Sequence, residues 1–383
     1  MRIVSGTLYA LNIPFVESFS HSTKTRTFSD AIVLRLVAEN GAVGYGEAIA
    51  RPYVTGETVE TCLDHMKNEL WPDITQTEFS LLSSSDDFMK FLTLIDETLG
   101  ERKTPGVIAW NAARAAFELA LIDCFLKYQK ISLSAVLAPK RTSVIYSGVI
   151  TSSSVEKAIK LAKYFKLFSI KQMKVKIDGR EDKERLMAIR ETVGSDVSLR
   201  VDANGAFNED RAVSVLKDIE AAKLDCVEQP IPRSHPRVLA KVKAQSPIPV
   251  MVDESLVTLK DAKDLIAEKA CDLFNLRLSK CGGIFRTLKM AKMATDAGLR
   301  YQLGSQVGET AILSAAGRHV AAYLEDPVYV EGSYGTMLLT EDIGEERINF
   351  GHGGKAPLLK SEGLGIQVRE DCLKKYALQT IEL

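Results

Sequence analysis

VSLRVDANGAFNEDRAVSVLKDIEAAKLDCVEQ, residues 197–229, holds the repeating unit of this chain. It opens on an apolar run ending at Asp202 and turns through Asn204-Gly205. A helix-period stretch follows from Asn208, and a second apolar run ends at Glu228. Strand, helix and strand of this length make a right-handed parallel unit. Outward from it the unit recurs. SVIYSGVI (143–150) and QMKVKI (172–177) precede it. IPVMVDE (248–254), CDLFNLRLS (271–279), LRYQLGS (299–305) and PVYVEG (327–332) follow, with amphipathic stretches between. Strand plus helix returns every ~25–30 residues, and about eight such strands close into a (β/α) barrel. An open doubly wound sheet is the alternative. Polar residues end most of the strands rather than clustering at one switch point, which favours the barrel.

Before residue 143 the pattern is α+β. Residues 1–14 and 30–38 read as strands, and Asn40-Gly41 before GYGEA signals a hairpin. AWNAARAAFELALIDCFLKYQ (109–129) is apolar or small around most of its circumference, as a buried helix is. After residue 338 come glycine-rich turns and LGIQVREDCLKKYAL, which reads as a return to the N-terminal part. The expected organisation is an α+β capping domain over 1–125, a catalytic barrel over 126–338 and a segment 339–383 that completes the cap. A chain of 383 residues allows this.

Composition limits the function. Hydrophobic residues make up 46% and the net charge is −1, so no basic footprint points to nucleic acid or an anionic membrane. No apolar run reaches the ~18 residues that span a bilayer. The N-terminal MRIVSGTLYALNIPF lacks the apolar block of a signal peptide. The six cysteines show neither a CxxC pair nor metal-finger spacing, so buried thiols in a cytoplasmic protein are expected.

The chemistry lies at the strand ends. Asp202, Glu228 and Asp253 fall 26 and 25 residues apart, one βα unit each, and so share the barrel mouth. Three acids in one pocket raise one another's pKa unless a cation joins them. An all-oxygen set suits Mg2+, or Mn2+, better than Zn2+. Lys174 and Lys176 alternate onto one strand face, where burial and their mutual charge lower a lysine pKa and make one of them a base. Lys280, four strands on, is expected across the barrel from Lys176. Glu309, after the seventh strand, either assists this site or caps a helix.

Together KVK, VDANGAF, VEQPIP, MVDES, LSKCGG and a Glu after the seventh strand resemble the muconate-lactonizing subgroup of the enolase superfamily. The resemblance extends over nearly the whole chain, including GYGEA, RPYVTGET (51–58), AARAAFELALID and LLTEDI (338–343). It implies a modified TIM barrel with Asp202, Glu228 and Asp253 as metal ligands. Lys176 and Lys280 are the implied opposing acid/bases, with Lys174 an electrostatic helper. Asn204 and Glu254 are expected to support the ligands, and homo-oligomerisation is implied. The strand LRYQLGS lacks the His base of the mandelate-racemase type.

Over the mouth, the polar stretch SFSHSTKTRTFSD (18–30) and RPYVTGET are expected lids, with His21, Lys24, Arg26 and Tyr53 toward a small carboxylate substrate. At the eighth strand, Glu331-Gly332-Ser333 stands where dipeptide epimerases of this resemblance carry Asp-x-Asp, and Glu331 alone is left to hold an ammonium group. The expected function is an isomerase taking the proton beside a carboxylate, either a cycloisomerase or a racemase/epimerase, acting on a small carboxylic acid or an N-acylated amino acid. A dehydratase of the o-succinylbenzoate synthase type is the alternative, and a non-catalytic metal-binding barrel a third reading.

Overall fold

A computed structural model describes residues 1–21, 24–82, 84–151 and 154–383, without the side chains of residues 19–25 and 85. The chain begins with β1 (Ile3–Leu11), β2 (Ile13–His21), β3 (Lys24–Ser29), β4 (Ile32–Ala38) and β5 (Val43–Ala48). β1, β4 and β5 pair antiparallel, and the β4–β5 hairpin turns where Asn40-Gly41 predicts it, with Gly41 at φ +87°. β2 and β3 form a separate hairpin. The helix Asn111–Tyr128 is buried from Asn111 to Leu126. It lies directly on β5 because Gly44 and Gly46 have no side chain. A Cβ on Gly46 would stand 1.8 Å from the Ala116 carbonyl oxygen.

SVIYSGVI proves to be two strands. β6 (Ser143–Ile145) leaves the barrel, and β7 (Gly148–Ile150) begins it. A parallel sheet continues in sequence order through β8 (Gln172–Lys176), β9 (Ser198–Asp202), β10 (Val227–Glu228), β11 (Val250–Val252), β12 (Leu273–Leu276) and β13 (Arg300–Leu303). The segment at Val330 closes it, bridging Leu303 in parallel and accepting a hydrogen bond from Ser147 N. Helices on the outside carry the caps their sequences encode. Asn208 accepts from Arg211 N, and Thr258 forms a capping box with Asp261. β14 (Lys355–Pro357) pairs with β6, and β15 (Ala377–Glu382) returns to the edge of β1.

Two residues per repeat explain the barrel interior. Cys226, Met251, Leu273 and Tyr329 form a small apolar layer of their own inside it. Two positions along each of those strands come Glu228, Asp253, Asn275 and Glu331, on the same face and buried. The apolar layer is thus a floor, and the polar layer above it opens to the mouth. All six cysteines are buried and unpaired, and no described helix is long and apolar enough to cross a membrane.

Candidate active site

Register brings the acids and amines together. Lys176 lies opposite Asp202, and Asp202 opposite Glu228. Lys176 Nζ stands 2.6 Å from Asp202 Oδ2 and 2.6 Å from Asn204 Oδ1. Lys174 Nζ reaches three carboxylates: Glu331 at 2.8 Å, Glu228 at 3.3 Å and Asp202 at 3.4 Å. Glu331 gives its other oxygen to Arg200 at 2.6 Å, and that guanidinium lies over the Tyr329 ring of the floor. Asn275 donates to Glu228 at 2.6 Å. Arg277 Nη2 lies 2.5 Å from Asp253 Oδ2 and 3.3 Å from Glu228 Oε1. Behind them Gln229, at φ +41°, accepts from the backbone of Asp253 and Ser255 and fixes that turn.

The electrostatics follow from crowding. Burial works to lower the Lys174 pKa, but Glu228, Glu331 and Asp202 outweigh it and hold the amine charged, above its ordinary range. Carboxylates outnumber amines around it, so burial and mutual charge do not lower this member of the pair, the one expected to act only as an electrostatic helper. Burial of Asp202 is likewise overcome by Lys176 and Lys174, which keep it well below the usual carboxylate range. Glu331 falls to about 2, with Lys174 and Arg200 overriding its burial. Glu254 is pushed up to about 8 by burial and by the charges of Asp253 and Asp202.

A cavity of about 420 Å³ is walled by Lys174, Lys176, Asn204, Glu254, Glu309 and Glu331, and by Arg26 and Tyr53 from the N-terminal part. The side chains of His21 and Lys24 lie outside the described residues. Asn204 bridges Lys176 and Glu254. Glu309 accepts from Gln306 N and is pushed up to about 8, chiefly by burial. Glu331 has both oxygens committed to internal cations, so the structure does not present it as an open ammonium holder.

Lys280 is the main departure. It is fully buried, and its ammonium donates to Asp253 O, Asp253 Oδ1 and Asn275 O at 2.7–2.8 Å. It is not among the residues walling the cavity; Arg277 is. The alternation that places Asn275 inward also places Arg277 inward. Lys280 instead falls in the helical turn Leu278–Cys281, where alternation ends. Two further cations carry no motif of their own. Arg200 faces inward on β9 two residues before Asp202, and Arg51, at the start of RPYVTGET, is a buried cation that lines the cavity and shares Asp30 with Arg26.

The carboxylates suit a hard divalent cation by chemistry. They are all-oxygen and buried, and Glu254 Oε2 has no hydrogen-bond partner. As the side chains stand, no three His, Cys, Asp or Glu among the described residues converge on one point; lysine and arginine hold the acids instead.

A family model described as Enolase C-terminal domain-like matches residues 155–372. N-succinyl-L-Arg/Lys racemase of Bacillus cereus is 30% identical over 99% of this chain and 98% of its own. Its crystal structure covers 100% of both chains with a TM-score of 0.88 at 27% identity. Muconate cycloisomerase 1 of Rhodococcus opacus is 25% identical over 98% of each chain. The crystal structure of a dipeptide epimerase from Cytophaga hutchinsonii, complexed with Mg and D-Ala-L-Val, covers 100% of both chains with a TM-score of 0.84 at 26% identity.

Proposed function

The chain belongs to the enolase superfamily, and on that premise we propose that it is a magnesium-dependent isomerase moving the proton on the carbon beside a substrate carboxylate. One observation carries this reading. Lys174 and Lys176 share a cavity wall, directly over the buried carboxylates Asp202 and Glu228. Relatives that are racemases, epimerases and cycloisomerases support the reaction class, and the magnesium in the Cytophaga complex supports the cofactor.

Asp202, Glu228 and Asp253 would hold the cation, which supplies positive charge where the substrate carboxylate gains electron density. Lys176 is the group that takes the proton; it is the less buried amine of the pair, and Asn204 aims it. Lys174, held charged by Glu228, Glu331 and Asp202 against its burial, adds to the field on the substrate carboxylate. Arg26 and Arg51, with Val16, Tyr53 and Val54, form the wall toward the distal part of the substrate. They suit an apolar chain carrying an anionic or hydrogen-bonding group. Because Glu331 is neutralised internally, a free ammonium on the substrate gains little from it.

The test uses single enantiomers of N-succinyl-arginine and L-Ala-L-Glu, together with cis,cis-muconate, in D2O with Mg2+. Proton NMR reads exchange or isomerisation. Turnover of at least one probe is expected, lost on chelation and reduced by roughly 10²–10⁴-fold in Lys176→Ala. Turnover indifferent to both changes would refute the reading. Appearance of an alkene from a β-hydroxy acid would place the chain with the dehydratases.

A further inference from the structure

We propose that proton transfer in this cavity is confined to one face of the substrate: Lys176 serves one side of the reacting carbon, the Arg277 guanidinium covers the other, and the chain does not racemise its substrate. The inference rests on the isomerase reading above and fixes its stereochemical course.

Inverting a carbon beside a carboxylate needs a proton acceptor on one face and a donor on the other, and the two exchange roles in the reverse direction. Lys176 and Asn204 stand on the β8–β9 side of the cavity, and Glu254 joins them through Asn204. The β12 side is held by Arg277. A guanidinium is a planar, permanently protonated donor and does not serve as a base at ordinary pH. Its Nη2 is bound to Asp253 and Glu228. The amine nearest to it in sequence, Lys280, is fully buried, spends all three protons on Asp253 and Asn275, and does not wall the cavity. Glu309 is the one rival acid from the β13 side, and its carboxylate already accepts from Gln306 N.

The step then balances on one side chain. The Lys176 Nζ lone pair takes the proton, and the electron pair of the broken C–H bond passes into the carboxylate. The resulting ammonium returns a proton to the same face of the same carbon. Where a leaving group stands on that face, the ammonium protonates it instead and an alkene forms. The arrangement thus fits additions, eliminations and ring closures whose making and breaking bonds share a face. Arg277 stabilises the charge that develops and shields the opposite side from water.

The experiment follows the proton and the configuration together. Each enantiomer of N-succinyl-arginine is incubated with the Mg2+-loaded enzyme in D2O; NMR reads deuterium uptake, and chiral chromatography reads configuration. Deuterium uptake with retention is expected, racemisation being at least about 100-fold slower, the worth of one well-placed acid/base group. In Arg277→Lys, an amine on the second face is expected to bring racemisation up toward the exchange rate, with circular dichroism confirming that the variant is folded. Racemisation by the unaltered enzyme at the exchange rate overturns the proposal. If Glu309→Gln then abolishes it, Glu309 is the second base. Absence of exchange from either enantiomer, with Lys176→Ala indistinguishable from the unaltered enzyme, overturns the isomerase reading itself for this substrate class, and the one-face assignment falls with it.

Discussion

Glu331 neutralises two buried cations at once, and at the scale of single residues it is the most exposed to failure. Arg200 has no other ion-pair partner among the described residues, and Lys174 is closest to this same carboxylate. Replacing Glu331 by Gln leaves a buried guanidinium uncompensated, and breaking such a pair costs about 3–5 kcal/mol. Urea unfolding of Glu331→Gln should show a loss of that order; a loss within ~0.5 kcal/mol, as at an ordinary surface site, would mean the network carries no such weight. At this scale the sequence exposes the acids well. Asp202, Glu228 and Asp253 end strands spaced by one βα unit, and the barrel rule points to them. Arg200 and Arg277 are just as regular, two residues before Asp202 and two after Asn275. Their charge alone does not tell an inward arginine from a solvated one; only the closed ring gives both of them an inside.

At the scale of elements, buried polar groups tie helices to the chain around them. Glu47 on β5 accepts from Thr310 N and Leu313 N at the start of the helix Ala311–Tyr323, and Glu118 accepts from Ile284 N and Phe285 N at the start of another. In the first of these helices His319 is buried against Leu364 O, and its pKa is held down to about 4 by burial and by Arg318. The unfolded chain binds that proton near pH 6.5, the folded chain only near 4. His319 therefore contributes full stability above pH 6.5 and loses it as pH falls toward 4, on the order of 3 kcal/mol at most. Thermal unfolding from pH 7 to 4.5 should drop more steeply for the native sequence than for His319→Gln. Glu47 and Glu118, both raised to about 7 by burial, act in the opposite sense, so the difference between the two proteins is the quantity to measure. Parallel slopes would remove His319 from the acid response. The helices themselves are legible from their period. That SVIYSGVI divides into two strands is not, because both halves have the same β-branched character and only the pairing with β14 separates them.

The whole molecule places a charged cluster under a cap. Acids and bases converge from β8, β9, β10, β12 and the turns beyond β11 and β13, while Arg26, Arg51 and Tyr53 reach the same cavity from the N-terminal part. A cation bound only by the folded chain stabilises it by mass action, about 2.7 kcal/mol at a hundredfold excess over its dissociation constant. Addition of Mg2+ should raise the melting temperature in calorimetry, and Asp253→Asn should abolish the rise. A shift that survives in Asp253→Asn would place the ion elsewhere.

By itself the sequence determined the repeating βα unit, the three acids at its strand ends and the pair of lysines on one strand, because these depend on short periods and local alternation. Only the tertiary structure decided that Arg277 rather than Lys280 faces the cavity, and that Glu331 is spent on Arg200 and Lys174. Those outcomes depend on which strand ends meet across a closed ring, and on where a strand gives way to a helical turn, and neither is written in local spacing.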